Sequence, residues 1–103
     1  MRRVIVESPY RGDRARNESY ARSCLRDCLN RGESPFASHL LYTQVLDDDR
    51  PDERMKGLDA GFAWTAVADA IVVYLDYGFT EGMARGVEFG KSRGMPIEYR
   101  NLY

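Results

Sequence analysis

The chain lacks an excess of positive charge, and it lacks any long apolar run. Its 103 residues include 15 Lys and Arg against 16 Asp and Glu, which gives a formal net charge of -1. Proteins that bind nucleic-acid polymers through phosphates need a basic surplus, so this balance argues against such a partner. No apolar stretch approaches the roughly 20 residues that cross a bilayer, and the apolar part of the N-terminal segment is too short for a signal peptide. We therefore expect a cytoplasmic protein without a membrane partner.

Cysteine and histidine are also scarce, with two cysteines and one histidine in the chain. Cys24 and Cys28 lie four residues apart, which suits neither a long-loop disulfide nor a complete metal site, and we expect small buried thiols. The acidic run at residues 47–49 lacks the spaced ligands and the closing Glu of a calcium loop. The sequence predicts no metal site and no cofactor.

Apolar patterning divides the chain into alternating strands and helices. Inward positions are predicted for Leu25, Leu29, Met55 and Val67 among others, and Asn17 is an alternative cap for the first helix. The predicted elements are, in order, strand 3–7, helix 15–30, a short strand within 36–42, helix 51–68, strand 70–75, a helix that Thr80 caps and that ends at 91 or 93, and strand 96–100.

This βαβαβαβ order predicts a single α/β domain over residues 1–103, of the flavodoxin-like or Rossmann-like type. We expect a four-stranded, mostly parallel sheet with right-handed crossovers, flanked by three helices. Ligands of open α/β sheets bind beyond the carboxyl ends of the strands, near the switch point in strand order. The segments that follow the first three strands should therefore meet at one pocket.

These three segments supply the candidate ligand-binding residues. A helix N-terminus with a nearby glycine can receive a phosphate or carboxylate, arginine can pair with a phosphate, and aromatic rings can stack on a base. Structural alternatives stay open, because aromatics also complete small cores and a lone histidine is often only a hydrogen-bonding partner. The candidates are Ser8, Pro9, Tyr10, Arg11, Gly12, Asp13, His39, Asp76, Tyr77, Gly78, Thr80, Gly82 and Met83.

Several motifs together resemble a small family of bacterial and phage proteins that is similar in turn to the nucleoside 2-deoxyribosyltransferases. They include SPYRGD at residues 8–13, PFASHLLYTQVLDDD at 35–49, GLDAGFAW at 57–64 and GMPIEY at 94–99. The likeness to the transferases depends on the predicted strand order, on the loop after the first strand, and on GM at 82–83 followed by GKSRGMPI at 90–97.

The resemblance implies cleavage of an N-glycosidic bond in a deoxynucleoside or deoxynucleotide, with a glutamate as nucleophile on the anomeric carbon. The family pattern places that glutamate four positions after Gly82, where this chain has Gly86. Glu81 and Glu88 are the candidate substitute carboxylates. Glu88 lies about 200° around a helix from position 86, whereas Glu81 precedes the glycine and needs a rebuilt loop to point inward.

We expect a nucleoside- or nucleotide-binding domain related to N-glycosidases and deoxyribosyltransferases, and the resemblance leaves its activity open. The alternative is a binding protein, a sensor or sequestering protein, that lacks the nucleophile and holds its ligand without cleaving it. A scaffold with a vestigial pocket is a third possibility. The resemblance also implies a homodimer or higher homo-oligomer, for which Phe62 and Trp64 on the second long helix offer apolar area.

Overall fold

Four parallel strands form one sheet at the centre of the molecule. In the computed structural model, which describes residues 1–103, the strands are β1 (Arg3–Glu7), β2 (Ser34–Phe36), β3 (Ala70–Tyr74) and β4 (Ile97–Arg100), in the order β2-β1-β3-β4. Every neighbouring pair is parallel. β3 is buried along its whole length, as expected for an apolar, mainly β-branched strand with helices on both faces. The predicted α/β class and parallel sheet are confirmed.

Helices cover both faces of the sheet, and they begin and end at recognisable signals. Asp13 caps α1 through Arg16 N, Pro51 lies in the first turn of α3, and Thr80 caps α4 through Met83 N. None of the helices combines the length and the apolar character that crossing a membrane requires. Their bounds are Arg14–Asn30 for α1, Ser38–Leu41 for α2, Pro51–Thr65 for α3 and Glu81–Ser92 for α4, with a 3₁₀ turn at Tyr42–Gln44.

Strand alternation separates two apolar clusters, one on each face of the sheet. Val4 and Val6 of β1 pack with Val72, Tyr74 and the inward face of α1, which includes the free, buried Cys24 and Cys28. The buried thiols predicted for these two cysteines are confirmed. Ile5 packs on the opposite face, with Ile71 and Val73 of β3 and with Met83 and Val87 of α4. Odd-numbered side chains of β1 therefore point to α4, and even-numbered ones point to α1.

Several local predictions are corrected. β2 is an edge strand that ends at Phe36, and the segment placed in that strand continues as the additional short helix α2. Asn17 does not cap α1; its buried amide donates to the carbonyl oxygens of Tyr10 and Arg11 and so holds the loop after β1. α3 ends before residue 68, and three predicted inward side chains are largely exposed: Leu29, Met55 and Val67.

Candidate functional site

A pocket of about 290 Å³ opens at the carboxyl edge of the sheet. Its walls come from the segments after β1 and β2, from one side of α3, and from the first turns of α4. Tyr10 and Met83, which are distant in the sequence, both line it. The convergence of three separate segments at this edge is therefore observed, as the strand order requires.

The loop after β1 contributes a polar wall. Ser8 Oγ and His39 Nε2 lie 2.7 Å apart, within hydrogen-bonding distance, and the His39 ring meets the Tyr10 ring edge-on at 6.5 Å between centroids. Burial lowers the pKa of His39 to about 4, so its imidazole is neutral near pH 7. A base this weak holds a proton taken from a serine poorly, and no carboxylate pairs with the ring. Ser8 and His39 thus act as polar lining of the pocket rather than as a nucleophile with its base.

The opposite wall combines the start of α4 with an arginine from α3. The first amides of α4, at Glu81 and Gly82, have no carbonyl partner within the helix. Arg54 Nη2 lies 3.8 Å from the position that a Cβ on Gly82 would occupy. The Arg54 guanidinium is mostly covered, and its ion-pair contact is a 4.0 Å approach to Asp48. This wall therefore offers positive charge beside unpaired amides, an arrangement that suits an anionic group.

Some predicted site residues lie outside the pocket lining. Asp76 is turned toward α1, where its carboxylate accepts hydrogen bonds from Tyr20 Oη and from the backbone amides of Leu102 and Tyr103. Tyr77 packs on the Tyr20 ring at 4.6 Å between centroids, and the Arg16 guanidinium carbon lies 4.3 Å from the centroid of the Tyr77 ring. The lining does not include Pro9, Gly12, Asp13, Asp76, Tyr77, Gly78 or Glu88.

The two carboxylates expected from the sequence are not aimed into the pocket. Glu88 lies on the exposed side of α4. Glu81 borders the mouth, but its side chain is 74% exposed and accepts a 2.9 Å hydrogen bond from Arg85. The remaining predicted residues do border the pocket: Ser8, Tyr10, Arg11, His39, Thr80, Gly82 and Met83.

Glu7 is a pocket carboxyl group that the sequence interpretation missed, as it also missed those of Asp48 and Glu53. It follows Ile5 on the face of β1 that points to α4, and its side chain borders the pocket. The Glu7 side chain is half-buried and its carboxyl group forms no hydrogen bond or ion pair; its partial removal from water raises the pKa of Glu7 to about 8. The group is therefore mostly protonated at pH 7. The sequence contained one signal, since a charged residue shares the strand face of Ile5.

Space for Glu7 exists because residue 86 is glycine. A Cβ placed on Gly86 would overlap the Glu7 carboxyl group, with Oε1 2.9 Å away and Oε2 closer still. Gly86 is buried in α4, on the side of the helix that faces β1. The position where the family resemblance expects a carboxylate side chain is thus beside a carboxyl group that comes from β1.

Further lining residues from α3 and the preceding turn were also missed. Those on α3 recur at helical spacing, so one side of that helix faces the pocket. The structure brings no group of three or more His, Cys, Asp or Glu side chains into an arrangement that could hold a metal ion. The missed residues include Tyr42, Arg54, Leu58, Phe62 and Thr65.

Comparisons with known proteins give a fold and a family. The structure superposes on the 2-deoxyribosyltransferase of the psychrotolerant bacterium Bacillus psychrosaccharolyticus with a TM-score of 0.68 and 16% identity, over 96% of this chain and 72% of that one. It superposes on a 2-deoxyribosyltransferase of Leishmania mexicana with a TM-score of 0.64 and 14% identity, over 100% of this chain and 66% of that one. At such identities the likeness shows a shared fold, and this chain is shorter than either neighbour.

No curated protein matches the chain in sequence. Residues 2–100 do match one family model, which is described as a domain of unknown function. The match covers nearly the whole sequence, so the chain belongs to the DUF7768 family.

Proposed function

We propose that the pocket binds a nucleoside or nucleotide and that the protein acts on its N-glycosidic bond. The observation that supports this most is a partnerless carboxyl group, that of Glu7, inside a pocket built on the fold of 2-deoxyribosyltransferases. N-glycosidic cleavage needs a carboxyl group near the anomeric carbon or near the departing base. At about 290 Å³ the pocket is close to the lower limit of small-molecule sites, roughly 300 Å³.

The lining has a suitable chemistry for each part of such a ligand. Tyr10 and Tyr42 provide aromatic surface for a base, and Ser38 and Thr43 provide hydroxyl groups for a sugar. Arg54, beside the first amides of α4, provides positive charge for a phosphate. A nucleotide would use all three kinds of contact, whereas a nucleoside has no phosphate for the arginine to bind.

The second candidate function is binding without cleavage, as a sensor or a sequestering protein. Glycine at position 86 favours it, because the family resemblance places the nucleophilic glutamate there. The ion pair between Glu81 and Arg85 favours it as well, since it holds that carboxylate at the exposed mouth. Under this alternative Glu7 serves only as a neutral hydrogen-bonding group.

Two measurements on one ligand panel separate these functions. Thermal unfolding with deoxynucleosides and deoxynucleoside monophosphates at millimolar concentration reports binding, because a ligand of the folded state raises the midpoint. Release of free base, followed by chromatography, reports cleavage. A raised midpoint with base release supports the enzyme, and a raised midpoint alone supports the binding protein. If no panel member raises the midpoint or releases a base, both proposals are wrong.

We further propose that the protein acts in the cytoplasm as a homo-oligomer that associates through α3. Trp64 is 54% exposed on that helix, and it is anchored by a 2.9 Å hydrogen bond from its Nε1 to Tyr42 Oη. Phe62 is already stacked on Phe89 at 4.6 Å within the chain, so it contributes less free surface than Trp64. Light scattering after size exclusion tests this: Trp64→Ala should yield a monomer, and a monomeric wild-type protein would contradict it.

A further inference from the structure

Two elements direct the side chain of Glu7 to the pocket. β1 turns Glu7 toward α4 because the residue has the same strand parity as Ile5. Its Cα is paired with Val73 of β3, the sheet's other central strand, so the backbone beneath the carboxyl group is held on that side. α4 then presents glycine where any side chain would collide with that carboxyl group. The Glu7 carboxyl group therefore faces the pocket.

The environment keeps this carboxyl group in its acid form. Several charged or titratable groups face the pocket from the surrounding elements, together with Tyr10 and Tyr42: Arg11, His39, Asp48, Glu53, Arg54 and Glu81. None of them forms an ion pair or hydrogen bond with Glu7, and burial alone raises the pKa of Glu7 to about 8.

Each charged neighbour already has a partner of its own. Arg11 pairs with Asp48 at 3.2 Å, and Arg54 approaches the same carboxylate at 4.0 Å. Glu53 accepts a 2.6 Å hydrogen bond from the backbone of Asp47. No cation is therefore left to pair with an ionised Glu7, and a neutral carboxylic acid is the form that this site stabilises.

We propose that Glu7 is a catalytic residue and donates the proton that the departing base takes up, in the space that Gly86 leaves open. This inference rests on the proposed function and specifies its chemistry as hydrolysis with general-acid assistance. It differs from the mechanism that the family resemblance implies, in which a carboxylate from α4 attacks the sugar. Here the carboxyl group comes from β1 and acts on the base.

The step balances with water as the only co-reactant. The Glu7 carboxyl group gives its proton to a nitrogen of the base, and the C1′–N bond breaks with its electron pair remaining on the base. Water oxygen bonds to C1′ and gives one proton to the Glu7 carboxylate, which restores the acid. The products are the free base and the free sugar or sugar phosphate, and nothing is oxidised or reduced.

Glu7→Gln is the decisive variant, because it keeps the size and polarity of the side chain and removes only the exchangeable acid proton. Glu18→Gln on α1 makes the same chemical change outside the pocket and is the matched control. Both variants and the wild type are compared in thermal unfolding with the deoxynucleoside and deoxynucleotide panel, and in base release between pH 5 and pH 10.

We expect Glu7→Gln to retain the ligand-induced rise in midpoint and to lose base release by at least about 100-fold, the usual contribution of a positioned acid. Wild-type kcat/KM should fall about tenfold per pH unit above about pH 8, as the acid ionises. Glu18→Gln should match the wild type in both assays.

Other outcomes overturn the inference in distinguishable ways. Base release by Glu7→Gln within a few fold of the wild type removes Glu7 from the chemistry and leaves the proposed function intact. If mass spectrometry detects a sugar covalently attached to Glu7, Glu7 acts as a nucleophile and the proposed role as a proton donor is wrong. Ligand binding by a wild type that releases no base leaves only the binding function, and the absence of any ligand-induced rise or base release refutes the proposed function itself.

Discussion

Replacing Glu7 by glutamine should stabilise the protein, by an amount that grows with pH. The pKa of Glu7 rises from its ordinary value of 4.5 to about 8 on folding. The folded state therefore binds this proton more tightly, and the associated stability is complete below pH 4.5 and is lost as the pH rises toward 8. At about 1.36 kcal/mol per pKa unit, the loss is about 3 kcal/mol at pH 7 and at most about 5 kcal/mol above pH 8. Glutamine does not ionise and escapes this loss.

Urea unfolding of both proteins at pH 5, 7 and 9 measures the effect. Other titrating groups are common to both chains, so they cancel in the difference between the two free energies of unfolding. Any misfit of the glutamine amide adds an offset that is independent of pH, and only the slope of the difference tests the reasoning. The difference should increase by about 4 kcal/mol between pH 5 and pH 9. A difference that stays constant within about 0.5 kcal/mol would show that Glu7 ionises as in water.

Three further substitutions test the rest of the site. Gly86→Ala should push the flexible end of the Glu7 side chain out of its present position, since the added Cβ overlaps the Glu7 carboxyl group, and so should reduce base release while changing the free energy of unfolding by no more than about 1 kcal/mol in urea unfolding; Gly57→Ala, whose Cβ meets Leu46 at an ordinary 3.5 Å, should leave base release unchanged and be neutral or stabilising by up to about 1 kcal/mol. Arg54→Gln should weaken binding of a nucleoside monophosphate about tenfold by calorimetry and leave nucleoside binding unchanged; an equal loss for both ligands would contradict a phosphate contact. Asp76→Asn should cost about 1–3 kcal/mol and speed hydrogen exchange at the C-terminus, where its carboxylate accepts two backbone amides; unchanged exchange would refute an anchoring role.

The sheet and its long helices were predictable because their signals are local. The β-branched run of β3, the cap at Thr80 and the proline at the start of α3 each fix one element within a few residues. The pocket edge followed from the parallel order of the strands alone. The short helix α2 was not predictable from the same signals, because its four residues contain no buried side chain and no side-chain cap.

The composition of the pocket depended on which face of the sheet each strand-end residue points to. Asp76 is an even-numbered residue like Val72 and Tyr74, whose side chains face α1. Its carboxylate therefore accepts a hydrogen bond from Tyr20 and does not line the pocket. Glu7 lines the pocket because it lies on the same face of β1 as Ile5, and that face is covered by α4.

The residue pattern of a strand shows which side chains share a face of the sheet, but it does not show which helix covers that face. That assignment needs the crossover path of the whole chain. Once it is known, one alternation rule excludes Asp76 from the pocket and places Glu7 in it. The structure then shows a role for glycine at position 86 that a comparison of motifs does not show. It marks a missing carboxylate on α4, and it also makes the room that a carboxyl group from β1 occupies.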